Sequence, residues 1–342
     1  MAVTIRDVAA LAGVSPSTVS RTCKNHPSIS RETKEKVRRA MAQLGYEPNI
    51  LPSASVPQSS QLIGIILPPS SRNVYENAFY LETIRGISQF CNGREYVSTI
   101  VTGQDDDEIL HAVRTLAKDD HAGGFILLYS REDDPVIDYL YSEGLLYVLI
   151  GKAKQYANQT IYIDNDNLLA GQEATEYLHG LGHRRIAYVG SEYTMLFSAE
   201  RRSGYQAALA AHALPLIPEY CIEVDQVSLD SNEPFQALLK RPDRPTAVVA
   251  SDDILAVALE RVCVQQGLTV PEDLSIISFN NSLFARITSP QLTSIDINSF
   301  QLGIEAASQL INHIENPNLM ATKIIVPHSI IVRGSCQQYL PE

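Results

Sequence analysis

Residues 12–21 read Ala12-Gly13-Val14-Ser15-Pro16-Ser17-Thr18-Val19-Ser20-Arg21. Gly13 suits a tight turn, because glycine adopts a positive φ without steric cost. Ser15 can cap a following helix, and Pro16 then stands at the first helical position, where the missing N–H carries no penalty. The stretch therefore predicts a turn between two helices, of which the second is short, polar and basic.

The residues on either side extend this pattern to a three-helix head. Thr4, with Asp7 three residues later, resembles a capping box before an apolar helix face. Ser30 can cap a third helix, and Gly45 can end it. The apolar positions of that third helix keep the spacing of one helical face, namely Val37, Ala40, Met41 and Leu44.

The charge of the chain is divided unevenly. The 342 residues carry a formal net charge of -12. Residues 1–60 contain eight Lys/Arg and four Asp/Glu, whereas the remainder contains 19 and 35. A basic head of +4 on an acidic body of -16 is typical of a chain that touches a polyanion at one end. Charge alone leaves open a plain solvated basic helix face.

Several classes of protein are excluded at this stage. No run approaches 18 apolar residues, which argues against a membrane span, and the N-terminus lacks the features of a secretory signal. The five cysteines are scattered and fit a reducing cytosol. The pair His179 and His183 has metal-like spacing but no accompanying Glu, and no phosphate loop or nucleophile elbow occurs. We expect no metal, no cofactor and no catalytic residues.

The body alternates short apolar runs with amphipathic stretches. Predicted strands are 62–68, 96–101, 124–129, 146–150, 161–163, 185–189, 221–224, 247–250, 275–279 and 294–297. Predicted helices are 81–91, 109–116, 170–181, 202–211, 255–266 and 302–314. Two such series predict two lobes of α/β class, each a parallel sheet covered on both faces. A ligand would bind beyond the carboxyl ends of the strands, in the cleft between the lobes.

The head motif is similar to that of the lac-repressor (LacI/GalR) family. The resemblance continues through Leu44-Gly45-Tyr46-Glu47-Pro48-Asn49, Gly182-His183-Arg184-Arg185-Ile186 and Glu200-Arg201-Arg202-Ser203-Gly204, and covers about residues 2–336. It implies a helix-turn-helix DNA-binding domain (1–49), a hinge or linker (50–60) and a two-lobed effector-binding and dimerisation domain (61–342). That body would be a doubly wound α/β core like the periplasmic sugar-binding proteins.

The resemblance also implies which head residues contact DNA. Base-reading positions at the recognition helix would be Pro16, Ser17 and Arg21, and Lys24 could contact a phosphate or a base. Phosphate-holding positions would be Thr4, Ser15, Thr18, Ser20, Ser30, Thr33 and Asn49. Because Pro16 and Ser17 offer few hydrogen bonds to base edges, we expect Arg21 to provide most of the discrimination.

The hinge segment departs from the family pattern. Relatives carry a short helix here, whose Leu wedges into the minor groove, whereas Ser55 falls at the wedge position of this chain. Pro52 and Pro57 disfavour a continuous helix. Val56 or Leu51 could serve as a poorer wedge, or the segment could stay extended as a plain linker.

The cleft residues implied by the resemblance suit a sugar, which presents flat apolar faces and rings of hydroxyl groups. They are Phe79, Tyr80, Lys152, Arg201, Ser251, Asp252 and Asn280. Apart from the resemblance, an aromatic pair after a strand such as Phe79 and Tyr80 is more often part of the core than a ligand platform, and Asp252 could merely cap a helix. The maltose-operon repressor branch is the most similar, which implies maltose or a maltodextrin. Another disaccharide, or a sugar phosphate held by Lys152 and Arg201, stays open.

Together these features predict a sequence-specific transcriptional regulator, a repressor of sugar-utilisation genes. Its partners would be double-stranded operator DNA, a small-molecule sugar and a second copy of the chain, with no membrane. We expect it in the bacterial cytoplasm, associated with the nucleoid through DNA. The alternative is a cytosolic sugar-binding protein or a sugar-processing enzyme on the same two-lobed fold.

Overall fold

The computed structural model describes residues 5–23, 29–46, 61–69, 77–118, 122–191, 195–224 and 233–340. The chain forms two compact units, which are described separately. The first comprises residues 1–59 with 313–319, and the second comprises residues 60–312 with 320–342.

The head consists of the three predicted helices, α1 (Ile5–Ala12), α2 (Pro16–Cys23) and α3 (Arg31–Leu44). Gly13 has a φ of 66° at the turn, as predicted. Ser15 Oγ accepts a hydrogen bond from Thr18 N at 3.1 Å and so caps α2. Small apolar side chains of all three helices form the core, namely Val8, Ala9, Val19, Val37 and Ala40. The helix-turn-helix prediction is confirmed.

The body contains two six-stranded sheets, as the strand–helix alternation predicts. The first lobe has the order β11-β5-β4-β3-β1-β2, and the second has β12-β10-β9-β8-β6-β7. The strands are β1 (Leu62–Ile66), β2 (Val97–Val101), β3 (Gly124–Leu127), β4 (Tyr147–Ile150), β5 (Ile161–Asp164), β6 (Ile186–Ser191), β7 (Cys221–Val224), β8 (Ala247–Ala250), β9 (Ser275–Phe279), β10 (Thr293–Asp296), β11 (Lys323–Ile325) and β12 (Ser329–Ile331).

Two details of the sheets differ from the prediction. β11 and β12 were not predicted, although short apolar runs occur at 324–326 and 330–332; each strand is only three residues long and partly exposed at a sheet edge. Among the strands of the described residues, all pairs are parallel except that of β10 with β12, which is antiparallel. An antiparallel edge strand is a common addition to an otherwise parallel sheet.

Helices cover the sheets of both lobes. They are α4 (Ala78–Gly93), α5 (Asp106–Ala117), α6 (Pro135–Ser142), α7 (Asn167–Gly180), α8 (Leu196–Ala211), α9 (Glu233–Leu239), α10 (Asp253–Gln265), α11 (Leu283–Ile287) and α12 (Ser299–Glu315). The short helices α6, α9 and α11 were not predicted, since each spans only one or two turns. No helix in the described part of the chain is long and apolar enough to cross a membrane.

The chain passes between the lobes three times, and one side chain joins all three crossings. The crossings follow β5, β10 and β11, since β6 and β12 belong to the second lobe and β11 to the first. Asn165 lies in the first crossing and is 3% exposed. Its Nδ2 donates to Ile297 O at 3.0 Å in the second crossing and to Val326 O at 2.9 Å in the third. This amide therefore bonds the three connecting segments to one another.

Helices α7 and α8 approach closely through a reciprocal pair of glycines. A Cβ on Gly171 would lie 2.2 Å from Arg201 O, and a Cβ on Gly204 would lie 2.0 Å from Leu168 O. Contacts this short with backbone cannot be relieved by a side-chain rotation. The glycines therefore set the separation of α7 from α8, and with it the position of Arg201 relative to Asn167.

We expect Gly204→Ala to separate the two helices and to lower the free energy of unfolding by about 1–3 kcal/mol, the usual cost of overpacking. Urea denaturation followed by circular dichroism measures this change. Gly180→Ala is the matched control, because a Cβ there meets nothing within 4 Å. Equal stability of the two variants would show that the close approach does not constrain the fold.

Candidate functional site

The head presents hydroxyl groups at the start of two helices. Ser15 Oγ lies 2.9 Å from Thr18 Oγ1, and Ser30 Oγ lies 2.8 Å from Thr33 Oγ1. Ser30 Oγ also accepts from Thr33 N at 3.2 Å, so that both serines cap their helices. Pro16 is exposed and Arg21 is half-buried on α2. The pairs Ser15–Thr18 and Ser30–Thr33 thus share one local geometry.

The other predicted head and hinge residues cannot be placed in the same detail. Ser17 and Ser20 belong to α2, but their side chains are not among those described. Further predicted positions lie outside the described residues, namely Thr4, Lys24, Asn49, Ser55 and Val56.

The charges on α2 and α3 are arranged differently. On α3, three exposed ion pairs join Arg31 and Arg39 to Glu35 and Lys36 to Glu32, at 3.3–3.9 Å. Such pairs contribute little because water screens them. The sequence of α2 contains Arg21 and no acidic residue. This makes α2 the helix of the head best suited to approach a polyanion, since its N-terminus also carries partial positive charge.

The body contains a cleft of about 570 Å³, its open mouth included. Most of its lining residues directly follow the carboxyl ends of strands in both lobes, as predicted. Five of the seven predicted effector residues line it, namely Phe79, Tyr80, Arg201, Asp252 and Asn280. The remaining lining includes two further aromatic side chains, Tyr129 and Phe197. Aromatic faces beside hydrogen-bonding groups suit a flat polyhydroxylated ligand.

Asp252 gathers polar groups from three elements. Its Oδ2 accepts from Asn77 Nδ2 at 3.1 Å and from Asn280 Nδ2 at 2.7 Å, and its Oδ1 caps α10 by accepting from Ile254 N. Asp252 therefore caps α10, which was its alternative role, and also lines the cleft. Because Asn77 belongs to the first lobe, its bond to Asp252 crosses the cleft.

Arg201 is buried and held on two sides. Its Nε donates to Asn167 Oδ1 at 2.9 Å, and its Nη1 donates to Ser251 O at 2.7 Å. The guanidinium carbon lies 4.3 Å from the centroid of the Phe279 ring. Ser251, a predicted effector residue, thus orients Arg201 through its backbone carbonyl. Asn167 in turn donates from Nδ2 to Asp164 Oδ1 at 3.0 Å.

Lys152 pairs across the cleft rather than lining it. Its Nζ lies 2.7 Å from Oε1 of Glu200 on α8. Burial alone lowers the pKa of Lys152, but the bond to Glu200 raises it above the ordinary value. Near this pair, Leu196 N donates to Ser130 O at 3.1 Å, another bond between the lobes. These bonds join the two lobes beside the cleft.

Several cleft residues had no predicted role. Asp164 and Tyr129 stand at the ends of predicted strands, so the strand-end rule would have found them. Asn77 caps α4, with its Oδ1 accepting from Phe79 N at 2.9 Å. Phe197 could not have been found, because the sequence predicted α8 to begin six residues later than it does.

Two carboxyl groups of the cleft have raised pKa values. Burial, and then the negative charge of Glu200, raises the pKa of Asp164 to about 7. Burial, and then Asp253, raises the pKa of Asp252 to about 6. Perturbed carboxyl groups in a cleft are typical of ligand-binding sites.

The stability of the ligand-free chain should depend on pH through Asp164. Its pKa of about 7 in the folded chain exceeds the ordinary value of 3.8, so the folded state binds the proton more tightly. The contribution of Asp164 is therefore greatest at low pH and decreases between about pH 4 and pH 7, with a limiting slope of about 1.4 kcal/mol per pH unit.

Urea denaturation at several pH values checks this, with Asp164→Asn and Asp166→Asn compared to the wild type. Asp164→Asn should gain stability relative to the wild type as pH rises from 5 to 7. Asp166 caps α7 and is partly exposed, and Asn caps equally well, so Asp166→Asn should keep the wild-type slope. Identical slopes in all three chains would contradict the assignment.

A helix-turn-helix head joined in one chain to a two-lobed α/β body defines a class of sensory regulator. The family model described as bacterial regulatory proteins, lacI family, matches residues 4–49. A second model, described as a periplasmic binding protein-like domain, matches residues 175–336. The chain belongs to the lacI family of bacterial regulatory proteins.

Relatives match almost the whole chain. The HTH-type transcriptional regulator MalR of Streptococcus pneumoniae is 33% identical over 338 residues, which cover 97% of this chain and 99% of that protein. A putative transcriptional regulator LacI from Bacillus cereus subsp. cytotoxis has a TM-score of 0.77 at 37% identity, and covers 82% of this chain and 99% of its own. A transcriptional regulator CelR–cellobiose complex has a TM-score of 0.76 at 28% identity, and the match covers 98% of this chain and 100% of that chain. These relatives are regulators, which does not support the alternative of an enzyme.

Proposed function

We propose that the chain represses sugar-utilisation genes by binding operator DNA through its head, and that a neutral sugar in the interlobe cleft controls this binding. Maltose or a maltodextrin is the leading effector. The observation that carries the proposal is the cleft itself, where aromatic rings stand beside Asp252, Asn280 and Arg201. Family membership supports the DNA-binding role.

The charges of the cleft favour a neutral sugar over a sugar phosphate. Arg201 is a basic lining residue, but two of its nitrogen atoms already bind Asn167 and Ser251. Asp164 and Asp252 also line the cleft and would repel a phosphate. Lys152, the other candidate for a phosphate, is paired with Glu200. Resemblance to a solved structure of a probable maltose operon transcriptional repressor malR (26% identity, TM-score 0.75) supports maltose, while the CelR–cellobiose complex supports the wider class of disaccharides.

In this proposal residues 1–49 form the DNA-binding domain, 50–60 the linker and 61–342 the effector-binding domain. Arg21 would read a base edge, and the capped pairs Ser15–Thr18 and Ser30–Thr33 would lie against phosphates. A regulator of bacterial genes works in the cytoplasm, where it meets chromosomal DNA.

A homodimer is the proposed working form. Three apolar side chains of α4 and α11 are exposed, namely Leu81 (62%), Leu283 (57%) and Ile287 (65%). Leu81 and Leu283 line the same groove of the body. Exposed apolar residues gathered in this way are typical of a protein–protein interface. Two heads would then bind the halves of a near-palindromic operator.

The sugar would act by stabilising the closed cleft. Bonds from Asn77 to Asp252 and from Lys152 to Glu200 join the lobes, and a bound sugar adds contacts to both lobes. A ligand shifts an equilibrium by its difference in affinity for the two states. Closure would change how the two bodies of the dimer meet, and hence the spacing of the heads.

We expect maltose to weaken operator binding about 5- to 150-fold, which corresponds to a coupling of about 1–3 kcal/mol. Fluorescence anisotropy with the full chain and an operator selected from random DNA measures this. Cellobiose and glucose 6-phosphate, titrated in parallel, separate maltose from other disaccharides and from sugar phosphates. Tighter operator binding in the presence of maltose would overturn its assignment as inducer.

Arg21→Ala should weaken operator binding by about 1–3 kcal/mol more than it weakens binding to random DNA, because a base contact is specific. Arg39→Ala on α3 is the control, since Arg39 is exposed and pairs only weakly with Glu35. Competition binding with operators altered one base pair at a time locates the relaxed position. Equal losses on operator and random DNA would assign Arg21 to a phosphate instead.

A further inference from the structure

The carboxyl group of Asp164 has one oxygen that nothing in the described part of the chain binds. Asp164 ends β5, lines the cleft and is 5% exposed. Its Oδ1 accepts from Asn167 Nδ2 at 3.0 Å. Its Oδ2 is buried and has no hydrogen-bond partner among the described residues. Leaving a buried carboxylate oxygen unsatisfied costs free energy, and such groups call for a physical explanation.

The neighbouring groups fix the direction of this carboxyl. Asn167 binds Asp164 Oδ1 through its Nδ2 and receives Arg201 Nε on its Oδ1, so that three side chains form one ordered series. The close approach of α7 to α8 at Gly171 and Gly204 holds Asn167 and Arg201 in place. If the carboxyl group rotated to place Oδ2 against Asn167, Oδ1 would be left without a partner instead. One acceptor of a residue that lines the cleft therefore stays without a partner among the described residues.

We propose that Asp164 is an effector-binding residue whose Oδ2 accepts a hydrogen bond from a hydroxyl group of the sugar. This role rests on the proposed function and adds a residue that the family resemblance did not assign. It makes the site select for a hydroxyl donor at one position of the ligand. An analogue without that hydroxyl leaves the carboxylate unpaired, which is the condition under which a polar site discriminates most strongly.

A proton competes with the sugar for the same oxygen. The charged groups that face Asp164 are Glu200 and Arg201 on α8 and Lys152 after β4. Burial and Glu200 raise the pKa of Asp164 to about 7, against the opposing effects of Lys152 and Arg201. A hydroxyl that donates to the ionised carboxylate lowers this pKa in the complex. Sugar affinity should therefore increase as pH rises through 7 and then become constant.

The size of this effect follows from the proton equilibrium. If the pKa falls from about 7 in the free chain to well below 6 in the complex, the sugar binds about fourfold more tightly at pH 8.5 than at pH 6.5. Because the pKa of Asp252 is about 6, most of its titration lies below this window.

Isothermal titration calorimetry of the full chain with maltose, maltotriose and cellobiose tests the proposal. The sugar that binds is then titrated at pH 6.5 and 8.5 into the wild type, Asp164→Asn and Asp166→Asn. Asn keeps the acceptor for Asn167 but places an NH2 group where Oδ2 was. Asp164→Asn should bind about 10- to 100-fold more weakly, the loss of a hydrogen bond to a charged group, and should lose the pH dependence. Asp166→Asn should match the wild type.

Monodeoxy analogues of the same sugar identify the hydroxyl. One analogue should lose as much affinity for the wild type as Asp164→Asn loses for the parent sugar, with no further loss when the two changes are combined. Wild-type affinity and pH dependence in Asp164→Asn would overturn the role of Asp164 and leave the proposed function intact. Failure of every sugar to bind the wild type would overturn both.

Discussion

The three connections between the two lobes meet at one buried amide. Asn165 donates from Nδ2 to Ile297 O and Val326 O, and so bonds the first crossing of the chain to the other two. Each of these hydrogen bonds contributes about 1 kcal/mol net to the stability of the fold, whereas a buried carbonyl left without a partner costs about 1–3 kcal/mol. Loss of the Asn165 amide would therefore destabilise the fold chiefly because two buried carbonyl groups would be left unpaired. The three crossings are therefore hydrogen-bonded to one another at Asn165 and are not three independent linkers.

Two polar residues of the cleft lie next to Asn165 in the sequence. Asp164 precedes Asn165, and Asn167 begins the helix that follows, where it binds Arg201 Nε. The series from Arg201 through Asn167 to Asp164 therefore starts on α8 of the second lobe and ends on β5 of the first. A ligand group placed against Asp164 is coupled to both lobes through bonds that already exist. In the proposed function, closure of the cleft would therefore also align its polar groups.

The sequence predicted the elements that local patterns control. The turn at Gly13, the cap at Ser30 and ten of the twelve strands follow from apolar periodicity and capping chemistry, and all are present. Edge strands β11 and β12 carry only short apolar runs, and their place in the sheets depends on pairing with β5 and β10, which are distant in the sequence. The pairing of Lys152 with Glu200 was missed for a related reason. It joins residues 48 positions apart, and no local rule relates them.

The position of β11 and β12 late in the sequence limits when the two sheets can be completed during synthesis of the chain. Residues 323–325 complete the first sheet beside β5, and residues 329–331 complete the second beside β10. Both segments are therefore synthesised long after the strands with which they pair, and Asn165 can meet Val326 O only after the 160 residues between them have been made. The first and third crossings therefore cannot be bonded to each other before synthesis has reached Val326, and the second sheet cannot gain β12 until five residues after that.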